Sequence, residues 1–238
     1  MDPLKAHISQ IEQSISKKYE DSDYDECYIA FLDILGMKKI VQKEYTFLRE
    51  IFNTIEVAIS LYGNAKIVGS DSFISEDQIR LTVLSDAIVI SIKSKTDQAF
   101  SKLIGICSYF VKKLISKPNS PIFLRGGITK GNLFHSGGIV FGPALVNAYE
   151  LEDDVADSMR CILDPQLEND RQVKEYVSSN NALCVDEVDG LHYISFITDE
   201  NKKILSDTAE EILSSNIDSD IKDKYNWLLK KLDNETNA

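Results

Sequence analysis

Three histidines, His7, His135 and His192, are all that this chain of 238 residues contains, and they stand far apart in segments of different kinds. A zinc centre built on imidazoles, or a triad of the Ser-His-Asp type, has almost no material here. Cysteine is as sparse. Cys27, Cys107, Cys161 and Cys184 form no C-x-x-C pair and fall in apolar segments, which reads as buried free thiols of a reducing compartment. No run of about 18 apolar residues occurs, so no spanning helix is expected. The opening MDPLKAHISQ lacks the apolar stretch of a secretory signal, and the expected location is cytoplasmic. Positive charge is the minority sign: 26 Lys and Arg against 38 Asp and Glu leave a net charge of −12. That argues against a basic surface for nucleic acid or anionic membrane. An anionic substrate would need metal ions and a few local cations to offset the field.

What remains is an ordinary globular composition, 43% hydrophobic and 27% charged, long enough for a sizeable core. Residues 3–19 have the pattern of a short amphipathic helix. The acidic DSDYDE after it places Asp21, Asp23 and Asp25 at alternate positions, as a calcium loop does. Glu26 stands where that loop needs Gly and Leu32 where it needs Glu, so a solvated loop is expected. CYIAFLDI reads as a buried strand. Beyond it Val41, Tyr45, Leu48, Phe52, Ile55, Ile59 and Tyr62 recur at the helical period, and Gly63-Asn64 supplies a stop. IRLTVLS and DAIVISIK read as a hairpin. A second long helix is expected over 96–117, with Phe100, Leu103, Cys107, Phe110 and Leu114 on one face, bounded by Pro118 and Pro121.

PIFLRGGITKG and NLFHSGGIVFG are β-rich and punctuated by glycine. Pro143 suits the first turn of a helix opening PALVNAYELEDD. A strand (MRCILD), a helix over 165–178, strands in ALCVD and HYISFIT, and C-terminal helices complete the chain. Hairpins and helices that do not strictly alternate predict an α+β fold, a mixed or antiparallel sheet flanked by helices in a ferredoxin-like, split-βαβ arrangement. The expected division is an N-terminal helix and acidic loop (1–26), a catalytic domain (27–200) and a C-terminal helical extension (201–238).

Chemistry concentrates at FLDILG, residues 31–36. A carboxylate in the middle of an apolar strand is expensive unless it is paired or neutralised, so Asp33 either caps something or holds a cation. Asp86, in VLSDAIVIS, sits at the tip of the expected hairpin between apolar strand residues. Two carboxylates at strand ends, side by side, form a hard oxygen pocket suited to Mg²⁺ or Mn²⁺. Gly36 allows a tight turn into the helix starting near Met37, whose first amides can meet phosphate oxygens. Arg125, in LRGGITKG, lies on an apolar strand. It meets either a phosphate, which matches its fork, or an internal carboxylate, Asp33 or Asp86 among them.

Together these segments resemble the class III nucleotide cyclases across about residues 27–163. FLDILG resembles their first metal-binding segment, which implies Asp33 and the Ile34 carbonyl as ligands, with Leu35 and Gly36 against the substrate. LSDAIVIS resembles the hairpin that bears the second metal Asp. LRGGITKG resembles the strand whose Arg binds the phosphates, and FGPALVNAYELE with MRCI resembles the interfacial helix and the strand after it. The departures are at the transition-state groups: Val146 and Glu150 stand where the family has Asn and Arg. Asn147 is one residue away, about 100° around a helix, and Asn147, Lys130 and Arg160 are the candidate replacements. The purine-reading pair falls at Thr82 and Ile139.

RGGI, FGPAL and AYELE are most similar to the bacterial Pycsar branch, which makes cyclic pyrimidine nucleotides in anti-phage defence. That resemblance implies a homodimer with two Mn²⁺ or Mg²⁺ ions per site. It also implies UTP as substrate, cyclic UMP as product and a downstream cyclic-nucleotide-responsive effector. Tyr24 would narrow the base pocket. The alternatives are a cytidylate or purine cyclase, or a non-catalytic nucleotide-binding pseudo-cyclase. A diguanylate cyclase lacks support, because no Gly-Gly-acidic signature follows Asp86.

Overall fold

The computed structural model describes residues 7–11, 13, 23–37, 40, 46–62, 65–67, 73–75, 79–117, 121–136, 138–179 and 182–234. The strands are β1 (Asp25–Ile34), β2 (Ala65–Ile67), β3 (Phe73–Ser75), β4 (Arg80–Leu84), β5 (Ala87–Lys93), β6 (Leu124–Ser136), β7 (Ile139–Phe141), β8 (Cys161–Leu163), β9 (Leu183–Val185) and β10 (His192–Ile194). The helices are α1 (Thr46–Tyr62), α2 (Ala99–Ile115), α3 (Pro143–Glu150), α4 (Arg171–Ser179), α5 (Lys202–Ser214) and α6 (Ser219–Asn234).

The main sheet runs β4-β5-β1-β6-β8-β10-β9. β1 is an interior strand, antiparallel to β5 on one side and β6 on the other, which is why its sequence is a nearly unbroken apolar run. Since β4 is antiparallel to β5, β1 and β4 point the same way with β5 between them, a split βαβ. β6 and β8 are the parallel pair that makes the sheet mixed. The expected α+β architecture, a mixed sheet flanked by helices, is what the chain adopts.

Alternation along β1 separates two faces. Tyr28, Ala30, Leu32 and Ile34 join Ile51, Ile55 and Ile59 of α1 and Phe100, Leu103, Cys107, Phe110 and Leu114 of α2 in the principal core. Leu205 and Ala209 of α5 and Leu228 and Leu232 of α6 belong to the same cluster. The opposite face is thinner. Cys27, Ile29, Val89 and Leu133 meet Ala144 and Ala148 of α3, and Asp33 and Arg125 share this face by strand parity. Gly127 explains the double glycine after Arg125: a Cβ there would stand 2.3 Å from the Ala148 carbonyl oxygen and 2.7 Å from Leu151 Cβ. Only glycine lets α3 lie directly on β6.

Several boundaries differ from the sequence reading. PIFLRGGITKG and NLFHSGGIVFG, expected to be β-rich, are joined by one ladder against β1 that carries β6 from Leu124 past Gly131 to residue 133, and a short hairpin to β7 follows. The helix expected over 165–178 is a 3₁₀ turn (Pro165–Asn169) followed by α4. Asp170 separates them by accepting from the amides of Gln172 (2.9 Å) and Val173 (3.3 Å), a side-chain cap. PALVNAYELEDD stays α-helical only through Glu150 and then opens into a π-helical turn, Leu151–Val155. Asp25 and Glu26 of the acidic loop are the first residues of β1. All four cysteines are free, three of them buried. Residues 7–11 and 13 of the expected first helix are helical; the rest of that segment, Asp21, Gly63-Asn64 and Pro118 lie outside the described residues.

Candidate active site

Asp33 is the next-to-last residue of β1, in register with Ala87 of β5 and Arg125 of β6. The turn joining β4 to β5 is Ser85-Asp86, with Ser85 in the left-handed region at φ 59°, a conformation that a non-glycine residue adopts in a tight hairpin. The Ile34 amide donates to the Asp86 carbonyl at 3.0 Å, and the Leu35 amide to the Phe123 carbonyl at 3.0 Å. These bonds fasten the end of β1 to the hairpin tip and to the segment before Arg125. Gly36, at φ 76°, then turns the chain, and the Ile40 amide donates to the Gly36 carbonyl at 3.3 Å. Met37 and Ile40 are helical, where the sequence predicts a helix to begin.

Asp33 is half-buried and Asp86 exposed. Burial pushes the Asp33 carboxyl above its ordinary value, and the negative charge of Asp86 pushes it further. Arg125 and the Ile34 amide pull the other way. The cost of ionising Asp33 beside a second carboxylate leaves a deficit that a cation removes. Among the described residues no group of three or more His, Cys, Asp or Glu side chains is arranged to hold a metal. Two carboxylates and a backbone carbonyl nevertheless fit a Mg²⁺-type ion, which draws its other ligands from water and substrate phosphate.

Arg125 is paired, but neither with Asp33 nor with Asp86. Its Nε donates to Oε1 of Glu152, at the start of the π-helical turn. The two side chains are 18% and 4% exposed. Burial raises the Glu152 carboxyl, Arg125 lowers it, and the charge of Asp33 raises it again. Asp33, Asp86, Arg125 and Glu152 thus form one electrostatic group. Sequence reading missed Glu152 as a site residue: LEDD has three acids in a row and no local signal for which one turns inward.

Asn147 is exposed on α3, as are Val146 and Glu150, because Ala144 and Ala148 take the face toward the sheet. Among the described residues no hydrogen bond joins Asn147 to Asp33, Asp86 or Arg125. Lys130 is on the other face of the sheet, bonded to Asp170 at 2.9 Å and Glu26 at 3.1 Å. Arg160 is buried against Asp186 at 3.1 Å and Asp189 at 2.5 Å. Both cations are committed to ion pairs away from Asp33.

Thr82 is buried, and its hydroxyl lies 2.9 Å from His135 Nε2, while His135 Nδ1 lies 2.8 Å from the Ser91 hydroxyl. Burial, then the charge of Arg80, lowers the His135 imidazole to about 4, so it is neutral at ordinary pH and bridges the two hydroxyls as donor to one and acceptor from the other. A lone histidine on a strand gave no sign of this bridge. Ile139 is 47% exposed on β7. Tyr24, 49% exposed, meets Phe141 edge-on at 5.9 Å, and Phe141 stacks on Phe134 at 4.9 Å.

No family model matches the chain, and no curated protein does. Among solved structures it is similar to the catalytic core of a rhodopsin-guanylyl cyclase with converted specificity in complex with ATPαS, at 9% identity and a TM-score of 0.48, covering 73% of this chain and 97% of that one. It is also similar to an adenylate/guanylate cyclase/hydrolase from Silicibacter pomeroyi, at 14% identity and 0.47, over 73% and 99% of the two chains. A bacterial light-regulated adenylyl cyclase gives 15% and 0.44, over 77% and 98%. At such identities and scores a functional assignment has to rest on the chain's own residues.

Proposed function

We propose that this chain is a nucleotide cyclase of the class III type that converts UTP to 3′,5′-cyclic UMP and pyrophosphate. The observation that carries the reading is the joining of Asp33, at the end of β1, to the hairpin tip bearing Asp86, with Arg125 directly across the ladder. Asp33, Asp86 and the Ile34 carbonyl would hold two Mn²⁺ or Mg²⁺ ions. Bound there, the ions lower the pKa of the ribose 3′-hydroxyl and neutralise the leaving phosphates. Arg125 orients the phosphates for in-line attack at the α-phosphorus. The Gly36 amide, at the turn that follows β1, would offer a backbone donor to the same anion; the Leu35 amide is already bound to the Phe123 carbonyl. The product would be a second messenger for a cyclic-nucleotide-responsive effector in bacterial anti-phage defence.

The working unit is a homodimer. Ile139, Phe141, Val146 and Tyr149, on β7 and α3, and Tyr24, just before β1 and against Phe141, are all between 47% and 53% exposed. Exposed apolar residues concentrated in this way mark a contact surface, and a second copy would bring its exposed Asn147 toward the first copy's carboxylates. Light scattering of active protein is expected to give a dimer, and Val146→Glu to give a monomer with turnover lost. A fully active monomer would contradict this.

The pyrimidine assignment rests on the positions that would read the base: Thr82, whose hydroxyl is already engaged by His135, and Ile139, which has no polar group. A site built to hydrogen-bond a purine edge needs polar groups there. In competition among equal concentrations of the four ribonucleoside triphosphates with Mn²⁺, the expected product is chiefly cyclic UMP. Chiefly cyclic CMP would overturn the uracil assignment; cyclic AMP or cyclic GMP would overturn the pyrimidine assignment.

A further inference from the structure

Glu152 touches Arg125 at one point of its guanidinium. A guanidinium carries five N–H donors in a fixed planar fork. Glu152 takes the Nε–H, and among the described residues the Nη groups have no partner. Capture of Nε by a nearly buried carboxylate fixes the plane of the fork and leaves its outer edge presented. Arg125 is also the cross-strand partner of Asp33, and Glu152 feels the charge of Asp33, so the held head group lies beside the carboxylate pair. The π-helical turn is what delivers Glu152. α3 ends at Glu150 and the wider turn begins at Leu151, over Gly127, two residues from Arg125. An α-to-π transition re-aims the side chains that follow it, and such turns recur at functional sites.

We propose that Glu152 is the positioning residue for Arg125, holding its guanidinium by Nε so that the Nη edge meets the phosphate chain of a triphosphate bound at Asp33 and Asp86. This rests on the nucleotide cyclase reading above. Two roles are separable. If Glu152 supplies only counter-charge for a half-buried cation, charge matters and length does not. If it positions, length matters and charge is secondary.

Glu152→Gln keeps the length and a carbonyl acceptor for Nε–H, whereas Glu152→Asp keeps the charge and draws the acceptor back by one methylene. Binding is measured with inorganic tripolyphosphate and Mg²⁺, which carries no base, and turnover with the four triphosphates. Glu152→Asp is expected to raise the tripolyphosphate Kd and the triphosphate KM about tenfold, with a smaller fall in kcat, since small displacements of a phosphate clamp are costly. Glu152→Gln is expected to stay within about threefold of wild type, because it keeps the Nε–H bond. In an Arg125→Ala background Glu152→Asp should add nothing, the mark of two residues acting as one unit.

The reverse ranking, with Gln impaired and Asp normal, overturns positioning in favour of counter-charge. So does an equal loss from Glu152→Asp with and without Arg125. Wild-type protein that neither binds tripolyphosphate nor turns over any triphosphate would instead remove the nucleotide reading itself, and the role of Glu152 with it.

Discussion

If the proposed two-ion site is right, Asp33→Ala and Asp86→Ala are each expected to lower triphosphate turnover by at least about a thousandfold, because each would remove a ligand of ions whose transition-state stabilisation amounts to several kcal/mol. Neither change should weaken the fold. Asp86 is exposed in a two-residue turn, and Asp33 carries an ionisation cost from burial and from Asp86. Removing one carboxylate relieves that repulsion, so thermal stability stays level or rises. The turn is also kept: the Ile34 amide binds the Asp86 carbonyl, a backbone atom. Loss of activity at unchanged melting temperature is therefore the expected pair of results. Either purified variant retaining wild-type turnover would remove the two-ion mechanism.

The largest effect on stability is expected far from that site, at Asp186, between β9 and β10. Its side chain is 1% exposed, and its carboxylate accepts from Arg160 (3.1 Å), Lys231 (3.0 Å), the Trp227 indole (2.8 Å) and the Val188 amide (3.0 Å). Arg160 and Lys231 are each 5% exposed, and the Nε of Arg160 is buried with no partner among the described residues. Asp186→Ala leaves Lys231 without that partner and Arg160 with only Asp189. Breaking a buried pair from one side costs about 3–5 kcal/mol, a large part of a typical domain's stability. Trp227 and Lys231 are one turn apart on α6, so that helix loses its polar anchor to Asp186 while Leu228 and Leu232 keep it in the core.

A fall of that size in urea-unfolding free energy is the expected measurement, and a change below about 1 kcal/mol would contradict the account. The same network predicts acid sensitivity. Burial alone would raise the Asp186 carboxyl, but the Val188 amide, the Trp227 indole and Lys231 outweigh it and hold it below its ordinary value of 3.8. A depressed carboxylate contributes stability above its unfolded value and loses it as pH falls through the folded one. Wild type should therefore lose stability below about pH 4, and Asp186→Ala should lose less over the same interval.

The sequence carried the sheet because its signals are local. CYIAFLDI is apolar on both faces, and it became an interior strand. Phe100, Leu103, Cys107, Phe110 and Leu114 share one helical face, and all five are buried. Asp33 and Asp86 were conspicuous as charges in apolar strands, and the helical turn after Gly36 followed from the glycine. What stayed hidden depends on contacts across the chain. Arg125 signalled that it needed an anion, but its partner is 27 residues on and reached only through a π-helical turn. Lys130 and Arg160 were plausible substitutes for absent transition-state groups until tertiary pairing committed both elsewhere.

The central claim is that this site cyclises a nucleoside triphosphate, and product stoichiometry tests it most directly. Wild-type protein is incubated with UTP and Mn²⁺, and the products are resolved by mass analysis and phosphorus NMR, with a chelator control. The account predicts one cyclic monophosphate and one pyrophosphate for each triphosphate consumed, and nothing when the metal is removed. Diphosphate with inorganic phosphate would make the site a hydrolase. Unchanged triphosphate, bound but never consumed for any of the four bases, would make it a sensor, and either result contradicts the account.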